Sequence, residues 1–362
     1  MTVVREFHED YGATFGDIGG RTLPLEYGRS ARTHRAVRNV VGATEHAYGI
    51  LVVEGDDRLD FVDNAITNEV PAEDGEGCYA LLLDPQGGIR TDLYVLNAGE
   101  KLLVFTPPSK VEDLHEEWEE NVFIQDVELS DASDAFGVFG VYGPKATEKI
   151  ASVFNGGSSP EAHLSFVRGR MGDHGVTVLR DDGLTGEEGF IVVCAADVAE
   201  DVFGTLITNG LNAVPFGRDV WEALTLEAGT PLFESELEGV VPNVLGLRNA
   251  LDFEKGCYVG QEVVSRVENQ GRPSRQLVGL VADAVPESGA AVFDGDASVG
   301  EVTRAGESEM REEPIALALV DYGLDDEADL TVRVDGEEVD AHVEPLPFVE
   351  GSDESDRLPR YD

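Results

Sequence analysis

The chain has 362 residues, of which 42% are hydrophobic, as in an ordinary globular protein. Its 72 acidic residues outnumber the 26 basic ones and give a formal net charge of −46. The three cysteines are too few and too far apart for a disulfide framework or a zinc or iron–sulfur site, and we expect no metal site. The totals predict two or three domains in a soluble cytoplasmic protein without a membrane span.

The acidity also bears on environment and partners. Such a charge strains a compact chain in dilute buffer, whereas about 1 M salt shortens the Debye length to about 3 Å and screens most of the repulsion. The composition is therefore typical of a protein from a high-salt cytoplasm. It argues against nucleic acid as the main partner, because phosphate neutralisation needs a basic face that no part of the sequence supplies.

The first part of the chain mixes helices with strands. Hydrophobic spacing predicts a basic helix over 28–41, a strand over 48–53, a helix over 57–70, a hairpin with arms C-Y-A-L-L-L and I-R-T-D-L-Y-V-L, a strand over 102–105 and a helix from Pro107 through Trp118. The turn between the hairpin arms is D-P-Q-G-G.

The pattern then recurs, with strands at 136–142, 175–179 and 189–193 and helices at 144–154 and 199–211. We therefore predict an α+β fold with two related units, residues 1–135 and 136–275. Short strands separated by Gly/Asp turns predict a small β-barrel over 276–348. Residues 349–362 are polar and acidic, and they are expected to form a mobile tail.

The stretch E-K-G-C-Y-V-G-Q-E-V-V-S-R, residues 254–266, combines a rare cysteine with one of five lysines. If a helix begins at Gln261, its N-terminus and Lys255 favour a thiolate at Cys257, while Glu254 and Glu262 oppose one. The residues alone leave a reactive thiol and a buried structural thiol equally open. Cys78 and Cys194 lie in apolar runs and are predicted to pack in the core.

Other stretches carry weaker signals. Asp84 and Asp92 lie at the two ends of the central hairpin, where Asp92 is a candidate ligand-binding acid or base and turn capping and solvation are the alternatives. G-L-T-G-E-E-G-F, residues 183–190, lacks the spacing of a phosphate-binding loop. The seven histidines never fall at metal-ligand spacing and are interpreted as structural or solvated.

An ordered series of motifs resembles the glycine-cleavage T-protein (aminomethyltransferase) superfamily almost end to end. Its members here are L-P-L-E-Y-G, H-R-A-V-R, I-T-N-E-V, D-P-Q-G-G-I-R-T-D-L-Y-V-L, V-Y-G-P-K-A, L-T-G-E-E-G-F, W-E-A-L-T-L-E-A-G-T-P-L-F and I-A-L-A-L-V. The resemblance implies a three-domain disc, with two related α+β units around a central folate channel and a C-terminal small β-barrel. It also implies tetrahydrofolate or a one-carbon derivative as ligand.

K-G-C-Y-V-G-Q-E-V-V-S-R resembles the signature of the YgfZ branch, whose folate-binding proteins support iron–sulfur cluster assembly or repair. Cys257 stands where an aminomethyltransferase is expected to have an aspartate. The N-terminal motifs, in contrast, resemble aminomethyltransferases. The chain thus mixes features of both branches.

The resemblance also implies roles for particular residues. Asp92 remains from an acid pair whose other member is replaced by Thr91, and Ile191 replaces a pterin-binding glutamate. Asp92, Lys255 and Cys257 are the implied catalytic positions, and Asn68, Asp92, Glu187, Arg218, Gln261 and Arg266 are the implied cofactor-binding positions.

Three functional hypotheses follow. The leading one is a tetrahydrofolate-binding YgfZ-type protein, with a functional thiol at Cys257 and iron–sulfur assembly proteins or client enzymes as partners. The second is a folate-dependent aminomethyl- or methyltransferase that uses Asp92 and a lipoyl carrier protein. The third is a folate-binding scaffold without turnover, in which the thiol only packs.

Overall fold

The computed structural model describes residues 2–325 and 328–361 and places them in eight α-helices and twenty strands. The helices are α1 (Arg5–Asp10), α2 (Ser30–Asn39), α3 (Arg58–Asp63), α4 (Val111–Asn121), α5 (Ala146–Val153), α6 (Ala199–Thr208), α7 (Arg218–Glu227) and α8 (Gln261–Gln270). Within the described residues, no helix is long and apolar enough to cross a membrane.

The strands follow the sequence alternation closely. They are β1 (Thr14–Ile18), β2 (Arg21–Glu26), β3 (Gly42–His46), β4 (Gly49–Glu54), β5 (Glu76–Leu83), β6 (Ile89–Asn97), β7 (Lys101–Thr106), β8 (Glu128–Asp131), β9 (Phe136–Tyr142), β10 (Phe154–Asn155), β11 (Phe166–Met171), β12 (His174–Arg180), β13 (Gly189–Ala195), β14 (Val214–Pro215), β15 (Arg275–Ala282), β16 (Ala291–Asp294), β17 (Ala297–Ser308), β18 (Glu313–Asp321), β19 (Leu330–Val334) and β20 (Glu337–Glu344).

Two sheets carry most of the first 255 residues. One has five strands in the order β5-β6-β7-β4-β8, and the other has seven in the order β10-β11-β12-β13-β9-β3-β14. Strand β3 precedes the five-stranded sheet in sequence but pairs with β9 of the other sheet, Gly42 opposite Tyr142. The two α+β units are therefore interleaved through the N-terminal segment.

The apolar residues form layers on these sheets. Trp118 and Leu114 of α4 cover the outer face of the five-stranded sheet, and Phe203 of α6 covers that of the seven-stranded sheet. A further cluster unites the inner faces, where Phe105 and Ile191 belong to the same core. The inner faces of the two sheets therefore share one apolar core.

The C-terminal strands close into a barrel in the order β15-β18-β17-β16-β19-β20, with its own apolar interior. This confirms the predicted α+β class with a small β-barrel. A different apolar cluster joins Leu317 of the barrel to Leu81 of β5 and to Tyr258 of residues 254–266, here called the cysteine stretch. The barrel is thus packed against the first sheet by way of that stretch.

The predicted helix over 57–70 is shorter in the structure, where α3 ends at Asp63. Lys255 explains the early end, because its ammonium group donates hydrogen bonds to the carbonyl oxygens of Asp63, Ile66 and Asn68 at 2.7, 3.1 and 2.7 Å. Carbonyls that a continuing helix would use are held instead by a side chain from 187 to 192 residues away in sequence.

The C-terminal segment 349–361 lies against the protein, whereas the sequence predicts a mobile tail there. Ser352 donates to Glu187, His163 contacts Asp356 at 2.7 Å, and the Leu358 side chain is buried. These partners are all more than 160 residues away in sequence. Local composition therefore gives no indication of them.

Candidate functional site

A cleft of about 120 Å³ opens between the two sheets, and its wall includes residues from β3, β6, β7, α7 and the C-terminal segment. Aromatic side chains supply much of that wall, including Tyr48, Tyr94, Phe105, Trp221 and Phe233. Asp92 and Arg357 lie on the same wall. A carboxylate and a guanidinium among aromatic rings suit a flat ligand with hydrogen-bond donors.

Asp92 is held by partners from distant parts of the chain. It follows the bulge in the β5–β6 hairpin and points inward, opposite Leu81, with 7% of its surface exposed. Its Oδ2 accepts from Arg357 Nη1 at 3.1 Å and from the Tyr79 hydroxyl at 3.3 Å. A buried, oriented carboxylate of this kind can accept a proton or a hydrogen bond from a ligand.

Arg357 is the cation at the centre of this group. Its guanidinium lies 4.0 Å from the Tyr79 ring centroid and 5.2 Å from that of Tyr94, and it is almost fully buried. It also donates to the Tyr94 hydroxyl and lies 3.5 Å from Asp182 Oδ2. Arg357 was not predicted as a site residue, because it belongs to the segment predicted to be mobile.

Two adjacent carboxylates, Asp181 and Asp182, follow β12 at the inner side of the cleft. They line a small cavity of about 20 Å³ with Tyr48, Tyr94 and Ile191. Tyr94 donates to Asp182 at 2.9 Å, and the Asp181 Oδ1 accepts from the amides of Gly183 and Leu184 at 2.8 and 3.1 Å. Burial, together with the neighbouring charge of Asp182, raises the pKa of Asp181 to about 7.

Ile191 therefore has carboxylates beside it, although it replaces the acid that the resemblance implies. The sequence R-D-D-G-L-T-G was the available signal, since the two aspartates come directly before the glycine-rich hairpin. The resemblance instead implied Glu187, which lies after those aspartates. Asp92, Asp181 and Asp182 face one buried guanidinium, so the group favours ligands that donate hydrogen bonds.

Arg218 and His46 lie on the same cleft wall. Arg218 is one-fifth exposed and pairs with Glu222 and Glu234, both at 2.8 Å. His46 accepts or donates a hydrogen bond with Tyr142 at 2.9 Å. Burial, reinforced by the charge of Arg218, lowers the pKa of His46 to about 3, so its imidazole is neutral at physiological pH.

Three other predicted site residues lie together at the loop after α3. The Lys255 side chain is 5% exposed, contacts Asp63 at 3.1 Å and holds the backbone described above. Asn68 donates to the carbonyl oxygens of Tyr79 and Asn249, both at 3.0 Å, and Gln261 donates to that of Lys255 at 3.3 Å. Their polar groups are thus occupied by backbone contacts that fasten the cysteine stretch to the first sheet.

Cys257 is exposed, while Cys78 and Cys194 are buried as predicted. Helix α8 begins at Gln261, and its cap residue Gly260 has a φ of 83°, a conformation that favours glycine. Arg266 is also exposed. Neither Cys257 nor Arg266 belongs to the wall of the Asp92 cleft.

Glu187 is likewise absent from that wall. It accepts from Arg38 at 3.1 Å and from the Ser352 amide at 3.0 Å, and so ties the C-terminal segment to α2.

Within residues 2–325 and 328–361, no group of three or more His, Cys, Asp or Glu side chains could hold a metal ion.

Comparison with known proteins extends the geometric picture. The model of the GCVT N-terminal domain matches residues 4–255, and that of the glycine cleavage T-protein C-terminal barrel domain matches residues 275–350. Among curated relatives, an aminomethyltransferase of Thermus thermophilus is 33% identical over 96% of this chain and 98% of its own length. One of Thermotoga neapolitana is 30% identical over 97% of this chain and 98% of its own.

Solved structures agree on the fold. The glycine cleavage system aminomethyltransferase T of Bartonella henselae superposes with a TM-score of 0.86 over 96% of this chain and 98% of its own, at 23% sequence identity. Both domain models together cover most of the chain, in the expected order. The chain therefore belongs to the glycine-cleavage T-protein (aminomethyltransferase) superfamily.

Proposed function

We propose that the protein is a folate-dependent aminomethyltransferase, which transfers the methylene carbon of an aminomethylated lipoyl carrier protein to tetrahydrofolate and releases ammonia and the free thiol of the carrier. The observation that carries the proposal is Asp92, a buried carboxylate oriented by Arg357 and Tyr79 in an aromatic cleft. Relatives that match the chain end to end bear the name aminomethyltransferase. The proposal therefore favours transfer chemistry over the YgfZ-type role.

The residues of the cleft fit a reduced folate by the chemistry they offer. Tetrahydrofolate supplies the two nitrogens that accept the one-carbon unit, one in its reduced ring and one in the bridge to its tail. Tyr48, Tyr94 and Phe105 provide flat apolar walls for its ring system. Arg218 lies on the same wall and would pair with the carboxylates of its tail in exchange for Glu222 or Glu234.

Asp92 would accept the hydrogen bond or proton of a folate nitrogen, and Arg357 would hold that carboxylate in place. Asp182, oriented by Tyr94, would accept from the donor edge of the pterin and thus take over the task of the acid that Ile191 replaces. Both roles require hydrogen-bond acceptors at the inner end of the cleft, and the carboxylates of Asp92 and Asp182 are such acceptors.

The test is an assay of methylene-tetrahydrofolate formation from an aminomethylated lipoyl carrier, together with a tetrahydrofolate titration. Asp92→Asn should lower the rate about 100-fold or more, as loss of a general acid or base does. Asp84→Asn is the matched control from the same hairpin, because Asp84 only caps the turn through the amides of Gln86 and Gly88.

The second candidate is a YgfZ-type protein that supports iron–sulfur enzymes, and its supporting observation is the exposed thiol of Cys257. Its test is the activity of cluster-containing enzymes in a Cys257→Ala strain. The transfer hypothesis predicts normal activity there and normal transfer by the variant. Loss of cluster-enzyme activity in that strain, with Asp92→Asn remaining harmless, would reverse the order of the two hypotheses.

A further inference from the structure

A second cleft lies away from the Asp92 site, between the C-terminal end of α8, the segment 243–253, Tyr322 and the last two described residues. Its volume is about 290 Å³, against about 120 Å³ for the Asp92 cleft. The two walls share no residue. The space is large enough for a small molecule and has no part in the function proposed above.

Positive charge distinguishes this cleft from the rest of the surface. Arg248, Arg272 and Arg360 line it, and Glu268 is the carboxylate on the same wall. The whole chain has only 26 basic residues against 72 acidic ones. A concave surface with an excess of guanidinium groups is therefore the exception in this molecule, and it attracts anions that the remaining surface repels.

Not all of the guanidinium groups are neutralised. Arg248 pairs with Glu268 at 2.7 Å, and Arg360 pairs with Glu354 at 3.2 Å on a half-exposed side chain. Arg272 makes no ion pair with any residue in the described ranges. Its only recorded partner there is the Tyr322 ring, whose centroid lies 5.9 Å away.

Two of these arginines lie over aromatic rings. Arg248 lies 5.2 Å from the centroid of Phe253, just as Arg272 lies over Tyr322. Tyr322 is supported in turn by Tyr361, whose hydroxyl donates to the Val244 carbonyl at 2.8 Å. Arg272, which makes no ion pair within the described ranges, can direct its N–H groups to the oxygens of a phosphate group, whereas Arg248 would exchange Glu268 for them.

We propose that this cleft is a binding site for a small phosphate-bearing molecule, held by Arg248 and Arg272 with Arg360 at its rim. The proposal is independent of the function proposed for Asp92. It rests on a cavity of sufficient size, an excess of guanidinium groups in an acidic chain, and an Arg272 that lies over Tyr322 without a carboxylate partner in the described ranges.

The site is also connected to the C-terminal segment. The backbone amide of Arg360 donates to the Gly246 carbonyl at 3.0 Å. Arg357, three residues before Arg360, donates to Asp92. A phosphate bound at Arg360 would therefore help to hold the segment that delivers Arg357.

The experiment is calorimetric titration of the full chain with inorganic phosphate, glycerol phosphate and citrate, in KCl at one fixed ionic strength. We expect both phosphates to bind saturably at one site per chain. Arg248→Gln/Arg272→Gln should weaken that binding about tenfold or more, because it removes the charged donors. Arg333→Gln is the matched control, since Arg333 also stacks on a ring, Phe293 at 5.1 Å, but on the barrel surface.

Direct titration is needed because phosphate also stabilises proteins without binding to them. Three results would overturn the proposal: no saturable binding, saturation by citrate alone, or equal affinity of the double variant and the wild type. Circular dichroism of the double variant establishes that it is folded before its affinity is compared.

Discussion

Glu227 is a single buried residue that connects helix α2 to the C-terminal barrel. Its carboxylate accepts from His34 at 2.9 Å, Arg38 at 2.9 Å and Ser308 at 2.7 Å, residues that belong to α2 and to the barrel strand β17. Burial alone would raise its pKa, but the hydrogen bond from His34 and the charge of Arg38 outweigh it and lower the pKa to about 2. The charged form is therefore part of the fold.

Glu227→Gln should destabilise the protein by about 3–5 kcal/mol at pH 7, because it removes one of the two buried carboxylates that pair with Arg38 and leaves Glu187 as the other. Since the folded-state pKa is depressed, the contribution of Glu227 is present above its ordinary value of 4.5 and is lost as pH falls towards about 2. Urea unfolding of variant and wild type should therefore give free energies that converge in acid. Glu222→Gln, on the exposed face of α7, is the control and should change little; a loss as large as that of Glu227→Gln would contradict the argument.

At the level of elements, the C-terminal segment is fastened by a histidine. His163 contacts Asp356 at 2.7 Å and Asp353 at 3.3 Å, and Arg180 also pairs with Asp353. The hydrogen bonds to Asp353 and Asp356 raise the pKa of His163 to about 10. A raised histidine pKa stabilises the fold fully below its ordinary value of 6.5, and that stabilisation is lost as pH rises through about 10.

His163→Gln should therefore loosen residues 349–361 and weaken the placement of Arg357. The measurement is trypsin cleavage after Arg357 and Arg360, followed by mass spectrometry at pH 7.5. Cleavage should be several-fold faster than in the wild type, whose own rate should rise between pH 7 and 10 relative to that of an unstructured peptide. His115→Gln, a change on helix α4, should leave the rate unaltered, and equal rates in all three proteins would count against the fastening role.

The segment also shows where sequence reasoning succeeded and where it did not. The β5–β6 hairpin was predicted because its two strands are consecutive in sequence and joined by a short turn, and the barrel was predicted from its short strands separated by turns. Arg357 could not be predicted, since its partner Asp92 is 265 residues away and its own surroundings are polar. The early end of α3 was missed for the same reason, because Lys255 acts on it from 192 residues away.

The site was predicted in the same uneven manner. The T-protein motifs identified Asp92, and the structure places Arg218 on the same cleft wall. The loss of an acid at Ile191 was visible in the motif, whereas Asp181 and Asp182 became relevant only when folding brought them beside it. Motif comparison registers a replaced residue at its own position, but a neighbouring strand end can supply the same chemistry in space.

For the whole molecule, the net charge of −46 predicts a dependence of stability on salt. Self-repulsion is felt across distances comparable to the Debye length, which falls from about 10 Å at 0.1 M to about 3 Å at 1 M salt. The melting temperature should therefore rise steeply up to about 1 M KCl and level off beyond it, as measured by differential scanning calorimetry. NaCl at equal ionic strength should give the same curve, because screening depends on charge and concentration and not on the identity of the cation.

Acidity provides the control that separates screening from general salting effects. The sequence has an isoelectric point of about 4.2, so the net negative charge becomes smaller in magnitude as pH is lowered from 7.5 to 5. If repulsion is the cause, the rise in melting temperature between 0.1 and 1 M KCl should be smaller at pH 5 than at pH 7.5. A rise of the same size at both pH values would instead point to strengthened apolar burial, which does not depend on the charge of the carboxylates.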